Sequence, residues 1–512
     1  MRGPHNLWRL LRTAATFERT GATHLALETL SAPRPLKLAM KVFGFPLKIF
    51  GMRGDPRETP ILRALTALGP AYIKFGQLMS TRPDIVGTKL ADELKVLQDA
   101  LPPFSQIEAR KIVERELNIK VDEFFSTFGE SVAAASLAQV HKANIRSTGE
   151  LVAIKVLRPG IEKAFLTDVD AFYLAAKIIE IFSKASRRLK PVAVIEHFEG
   201  IARAELDLRM EIAAAAEFAA NTEDDPKFKV PKVYWNLSSR RVLTTEWVHG
   251  TPIGDIKEIR QQGTDMEALA TLIMQSFLRQ ALRDGFFHGD MHQGNLKLDS
   301  EGNLMVMDFG IMGRINSYTR RVYAEILMGF LQKDYKRVAE VHFEAGYVPQ
   351  NQDVDAFAQA LRSVGEPIFG AEASQISMAR LLAHLFDVTE RFGMATRTEL
   401  LLLQRSMVVV EGVSRSIDPK MNMWETARPV VEKYIKENLG PKTIFKDAIS
   451  TVRALSRFGP HLPFLVEKSL QSALDEEKPK IRRRRLPALV GGLLLGGLLG
   501  VICTILIALM SS

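Results

Sequence analysis

The chain has 512 residues, 46% of them apolar and 25% charged, enough for two to four domains or for one large enzyme core with extensions. Its one cysteine, Cys503, excludes an internal disulfide framework and any thiolate metal cluster. The net charge of +9 is unevenly placed: residues 1–63 hold eleven Lys or Arg against four acids, KPKIRRRR at 478–485 adds +6, and the remainder is about −4. Basic ends around an acidic middle suit an anionic membrane surface, whereas nucleic acid would need a basic face on the folded domain. With no RNA-binding signature or zinc-finger spacing, nucleic acid is not expected as a partner.

In chain order, Leu7 to Leu30 predicts an amphipathic helix, with Leu7, Leu10, Leu11, Ala14 and Ala15 able to share a face. It has no unbroken apolar stretch of the secretory kind. It is Arg-bearing and acid-poor like an organellar transit peptide, but has no serine before Ser31. Pro33 to Met52 is basic and apolar, suited either to lie on a bilayer with its lysines at the headgroups or to pack on the core. Residues 59–105 read as helices broken at Pro70 and Pro83, and contain Lys74-Phe75-Gly76-Gln77. A glycine inside a helix costs ~1 kcal/mol relative to alanine and implies close packing or function.

From Phe125 the period becomes that of strands. Ala133-Ala134-Ala135-Ser136 reads as a small-residue loop, and Leu151 to Val156 as a strand carrying Val152-Ala153-Ile154-Lys155. A lysine closing an apolar strand after such a loop looks like one that holds nucleotide phosphates. Helices are expected at 160–184 and at 194–220, the latter carrying Glu205, Asp207 and Glu211. On one helix Glu205 and Glu211 would lie about 120° apart, while Asp207 and Glu211 would share a face and want a basic partner, with Lys155 and Lys74 the candidates. Val230 to Trp235 and Arg241 to Trp247 are expected strands, and Glu246 opens a connector to a helical half whose first helix, capped from Thr264, runs through Leu282.

The stretch HGDMHQGNLKLDSEGNLMVMDFG, His288 to Gly310, organises the rest. Asp290 and Asn295 have the spacing of a kinase catalytic loop, and Asp308-Phe309-Gly310 follows an apolar strand at Leu304 to Met307, where a second metal-binding carboxylate is expected. Asn295 and Asp308 are candidate Mg²⁺ ligands, Asp290 orients the acceptor, and Lys155 holds ATP phosphates, itself placed by an acid, Glu211 being the favoured one. Helices follow at 318–332, 354–363, 376–392, 398–414 and 426–438, with no A-P-E signature after Gly310. Finally, Leu486 to Met510 is an uncharged, mostly apolar run that as a helix would be about 37 Å long, enough to span a bilayer. Arg482 to Arg485 would keep its leading end cytoplasmic, and Gly492, Gly496 and Gly500 on one face are compatible with a homodimer.

Taken together, Lys74 to Gln77, Ala133 to Ser136, Val152 to Lys155, Glu205-Leu206-Asp207, His288 to Asn295 and Asp308 to Gly310 resemble the UbiB/AarF family of atypical protein-kinase-like proteins. The resemblance implies an α+β, bilobal protein-kinase-like fold with an N-terminal helical layer. Lys74 and Gln77 would enter the would-be substrate cleft, Lys74 touching the acidic motif at Glu205 and Asp207, and Ala133, Ala134, Ala135 and Ser136 would replace the Gly-rich loop with Glu246 on the nucleotide side. It further implies ATP hydrolysis coupled to quinone precursors or quinone-biosynthesis enzymes at a membrane: the bacterial inner membrane with the enzyme domain cytoplasmic, or a mitochondrial inner membrane facing the matrix. The expected division is 1–58 basic helices, 59–122 helical extension, 123–250 N-lobe, 251–477 C-lobe, 478–485 basic linker and 486–510 transmembrane helix. A small-molecule or lipid kinase and a weakly catalytic nucleotide-binding scaffold are the competing readings.

Overall fold

The structure, a computed structural model, describes residues 5–24, 46–80, 86, 88–94, 97, 102–182, 191–370, 388, 391–394 and 398–438. Its described residues form two compact units: one runs through Ile212 and includes Val233–Trp247, and the other holds Ala213–Lys232 and the described chain from Val248 to Asn438. The expected segments 478–485 and 486–510, with Gly492, Gly496 and Gly500, lie outside the described residues, as does most of 376–392. Among the described residues no helix is long and apolar enough to cross a membrane.

In the first unit, α1 (His5–Thr20) buries Leu10, Ala14, Ala15 and Phe17, while Leu7 and Trp8 are exposed. Its buried side lies on α2 (Pro60–Leu68) and on a later helix, α7 (Ile161–Phe182). Arg9 pairs with Asp168 of α7, and Thr13 Oγ1 meets the Tyr72 hydroxyl of α3 (Pro70–Ser80) at 2.5 Å. The apolar face of α1 is thus occupied by the protein's own core. Pro60 and Pro70 open their helices, where a missing N–H is harmless. Next come α4 (Thr88–Leu94) and α5 (Gln106–Leu117), the latter capped by Ser105 Oγ accepting from Glu108 N.

After the single turn α6 (Val121–Phe124) the chain builds an antiparallel sheet of order β1-β2-β3-β5, from β1 (Phe125–Ala134), β2 (Ala138–Ile145), β3 (Leu151–Leu157) and β5 (Val242–Glu246). Along β3, Val152, Ile154 and Val156 are buried with Ala109, Ile112 and Val113 of α5. The period of two therefore turns Lys155 to the opposite face.

Three expectations for this region need correction. The helix expected at 194–220 is two, α8 (Pro191–Glu205) and α9 (Leu208–Asn221). At the break Leu208 N donates to Arg240 O, and Asp207 Oδ1 accepts from Arg209 N at 3.2 Å, so the 120° estimate for Glu205 and Glu211 does not apply. The strand expected at 230–235 reduces to β4 (Phe228–Lys229), an isolated bridge at Val233 and a turn at Trp235–Leu237. Pro231 has no N–H to continue a ladder. Ala133 and Ala134 are the end of β1 rather than a loop, opposite Val140 and Gln139.

In the second unit a sheet of order β4-β9-β8-β6 joins β6 (Thr251–Pro252), β8 (Leu296–Leu298) and β9 (Leu304–Val306) to β4. After α10 (Ile256–Gln261), α11 (Met266–Arg279) is capped by Asp265, whose side chain accepts from Ala268 N, and not by Thr264. It passes into a π-turn at Gln280–Asp284 that Gly285, at φ 66°, ends. The pair β7 (Phe286–His288) and β10 (Met312–Arg314) brackets the central stretch. Then follow α12 (Ser317–Gln332), α13 (Tyr335–Glu344), which the sequence reading passes over, α14 (Val354–Gly370), α15 (Thr398–Ile417) and α16 (Met423–Asn438). Tyr335, Val338, Phe343, Phe357 and Leu361 make the core joining α13 to α14.

Candidate functional site

In the first unit, the Lys155 ammonium lies 2.8 and 3.0 Å from the two carboxylate oxygens of Glu211. The lysine side chain is 20% exposed and the glutamate 9%. Lys74 of α3 reaches Glu205 at 3.1 Å, both about one-sixth exposed (17% and 16%). The break between α8 and α9 thus gives each glutamate its own lysine. Gln77 donates to Leu97 O at 3.3 Å. Asp207 instead pairs with Arg209 at 2.6 Å, and that hydrogen bond holds its carboxyl below the usual carboxylate range.

The alanine segment closes a tight hairpin in which Ala135 N donates to Ala138 O at 2.8 Å. Ser136 is 1% exposed, and its hydroxyl has no hydrogen-bond partner among the described residues. Glu246 is the exposed last residue of β5, opposite Val152.

In the second unit, the loop after β7 and the one after β9 are locked together by His288. This residue is fully buried. Its Nδ1 accepts from Asp290 N at 3.1 Å, so Nε2 carries the proton and donates to Asp308 O at 2.9 Å. Burial pushes the imidazole pKa down, which keeps the ring neutral for this double role. Asn295 donates its amide N–H to Asp290 O at 3.0 Å, so its side-chain carbonyl oxygen is the atom that could accept a ligand. Asp308 adopts φ 60°, a left-handed backbone that only Gly, Asn and Asp visit readily. Its Oδ1 accepts from Gly310 N at 3.2 Å. Phe309 is buried against Phe218 and His288, with ring centroids at 5.5 and 5.6 Å. His292 Nε2 stands 3.6 Å from Asp290 Oδ2, and its Nδ1 accepts from Gly294 N.

Among the described residues no group of three or more His, Cys, Asp or Glu gathers into a metal cage. One carboxylate and one amide oxygen, Asp308 and Asn295, fit a hard cation that keeps most of its shell as water and phosphate oxygen, which is how Mg²⁺ is commonly held. The orphaned Ser136 hydroxyl fits a turn that receives a polar ligand. His288 is a functional residue beyond those expected from the sequence, and its place at the opening of the catalytic loop is the signal that marks it.

Comparison with known proteins places the chain in a family. Residues 96–342 match the ABC1 atypical kinase-like domain and residues 361–422 the UbiB helical domain. The chain is 38% identical over 442 residues to the probable protein kinase UbiB of Pseudomonas putida, covering 85% of this chain and 82% of that one. It is 36% identical over 470 residues to that of Marinobacter nauticus, covering 91% and 85%. The structure of the Rv3197–erythromycin complex from Mycobacterium tuberculosis superposes with a TM-score of 0.52 at 25% identity, over 64% of this chain and 83% of that one. The fold is therefore that of a protein-kinase-like enzyme, with α+β content as expected from the sequence. More narrowly, the chain belongs to the UbiB family of ABC1 atypical kinase-like proteins.

Proposed function

We propose that this protein is a membrane-anchored, Mg²⁺-dependent ATPase of kinase-like fold that supports ubiquinone biosynthesis. The observation that carries the reading is the His288 lock, which holds the loop bearing Asp290 and Asn295 to the backbone of Asp308. Phosphoryl transfer asks a protein for placement and charge more than for covalent chemistry. Lys155, oriented by Glu211, holds the ATP phosphates. Asp290 orients the acceptor and takes its proton. Asn295 and Asp308 would hold Mg²⁺, whose part is to neutralise charge on the phosphates. The end of β1 at Ala133-Ala134 and the turn at Ala135-Ser136, with Glu246, border the nucleotide.

Water is the acceptor in this reading, because no A-P-E signature closes a substrate platform and Lys74 is engaged with Glu205. The relatives' printed names say protein kinase, and the test below separates the two. The apolar run Leu486–Met510 is the anchor in a bacterial inner membrane, with Arg482–Arg485 and the enzyme domain on the cytoplasmic side. Its partners are membrane lipids and quinone-biosynthesis intermediates or enzymes.

The test is phosphate release by the full chain in lipid, with Asp308→Asn as control. Asparagine tolerates the left-handed backbone, so the control removes the ligand charge while keeping the turn. Mg²⁺-dependent release by the wild type alone is expected, and equal release by both would overturn the reading. Labelled protein appearing in place of free phosphate would make it a protein kinase. A deletion strain with normal ubiquinone and no accumulating precursor would remove the pathway assignment.

A further inference from the structure

Three residues after Lys155 on the same chain segment stands Arg158, whose guanidinium has no part in the chemistry above. Its Nε and Nη2 both donate to Ala135 O, at 3.2 and 2.9 Å. Its Nη1 donates to Pro102 O at 2.9 Å. One planar fork therefore joins two carbonyls that lie 23 and 56 residues away in sequence.

The arginine is itself fixed at both backbone groups, with Arg158 N donating to Leu137 O at 2.9 Å. Arg241 Nη2 donates to Arg158 O at 2.9 Å. Arg241 is anchored in turn to Glu162 at 3.0 Å. On the other side of the fork, fully buried Gln139 accepts from Phe104 N at 2.9 Å and donates to Phe104 O at 3.2 Å. The Phe104 ring faces the guanidinium at 5.9 Å. The stretch Pro102–Phe104, where the chain arrives from the helices bearing Lys74, is thus stitched to the hairpin turn at Ala135–Leu137.

We infer that Arg158 is the positioning residue of the alanine turn, holding it as a fixed brace tied to the incoming Pro102–Phe104 segment rather than as a mobile flap. A Gly-rich phosphate loop brings its backbone N–H groups close to the ligand because no Cβ stands in the way. Here the Ala135 carbonyl is drawn onto a cation and the turn is closed behind it by the Ala135–Ala138 hydrogen bond. The brace leaves the Ser136 hydroxyl as the buried polar group without a partner in the turn. A lysine would not reproduce this contact, since its donors all sit on one nitrogen whereas the guanidinium spreads fixed donors over three.

The inference rests on the nucleotide reading above, so its test has an arm independent of turnover. Arg158→Lys and Arg158→Ala are compared with the full wild-type chain in lipid, each at a fixed interval below its own melting temperature. Backbone amide exchange across Val132–Val140 should accelerate in both variants. The nucleotide KM should rise about 10-fold while kcat changes much less, because misplacing a binding element by ~1 Å is enough for such a loss. A lower melting temperature with unchanged exchange and unchanged KM would make Arg158 a staple of the fold only and overturn the inference. If the wild type neither binds ATP nor releases phosphate, the nucleotide reading fails, and accelerated or unchanged exchange still decides whether the brace exists.

Discussion

Both carboxylate oxygens of Glu211 lie within 3.0 Å of the Lys155 ammonium. The two contacts fix the direction of a side chain that otherwise has four free torsions. Glu211→Gln keeps the shape and removes the charge. Phosphate release is expected to fall at least about 10-fold, chiefly through a weaker nucleotide KM, with a modest loss of stability because Lys155 still reaches solvent. Steady-state kinetics with ATP varied checks this, and a KM within two-fold (about the resolution of such comparisons) would detach the pair from the nucleotide.

Glu411 on α15 supplies a pH prediction. It is 4% exposed, and burial raises its pKa from near 4.5 to about 7 despite Arg415 at 3.5 Å. The folded state therefore holds a proton that the unfolded chain has already lost, so stability falls as pH rises from about 4.5 to about 7 and stays lower above that. The interval corresponds to a loss on the order of 3 kcal/mol. Glu411→Gln removes this term, so its melting temperature should be the higher of the two at pH near 8 and lose that lead near pH 5. Parallel melting curves across that range would refute the burial account.

How much of this was legible in advance follows from how local each cause is. Lys155 was readable because a period of two along Leu151–Val156 marks its face without help from elsewhere. The break at Asp207 was not, because the bond that makes it, Leu208 N to Arg240 O, joins residues far apart in sequence. The extent of β1 is hidden for a related reason: alanine locally favours helix over strand, and pairing with Val140 and Gln139 overrides that preference. The short strands β7 and β10 exist only as partners of one another. In contrast, Pro231 is a local signal against the strand expected at 230–235, since it has no N–H to donate. The Arg158 fork was invisible, since both its acceptors are backbone carbonyls that carry no residue-type signature.

The loop bearing Asn295 is held from α15. Gln293 donates its amide N–H to Ser416 Oγ at 2.9 Å, and Ser416 donates in turn to Val413 O at 2.7 Å. Gln293 opens the turn that Asn295 closes. Ser416→Ala leaves that amide without its acceptor and loosens the turn, which should raise the Mg²⁺ concentration for half-maximal phosphate release about 10-fold, as for outer-shell changes at metal sites generally. Titrating Mg²⁺ at fixed ATP checks it. An unchanged titration with a lowered melting temperature would mean that the contact serves the fold alone.

Gly76 sits inside α3 between Lys74 and Gln77, and the sequence alone left packing and function open. A Cβ there would meet Leu97 Cδ1 at 2.4 Å and Leu65 Cδ1 at 2.8 Å. Those are the far ends of flexible side chains, so they can give way, but both leucines are buried and must displace neighbours to do so. Alanine would gain ~1 kcal/mol of helix propensity, and overpacking would cost ~1–3 kcal/mol. Gly76→Ala should therefore be slightly destabilising, by about 1 kcal/mol in a denaturant titration. If the clash with Leu97 is the cause, Leu97→Val should suppress that cost, giving a coupling of about 1 kcal/mol in the double-mutant cycle. Additive effects would show that Gly76 is required for something other than the close approach of these side chains.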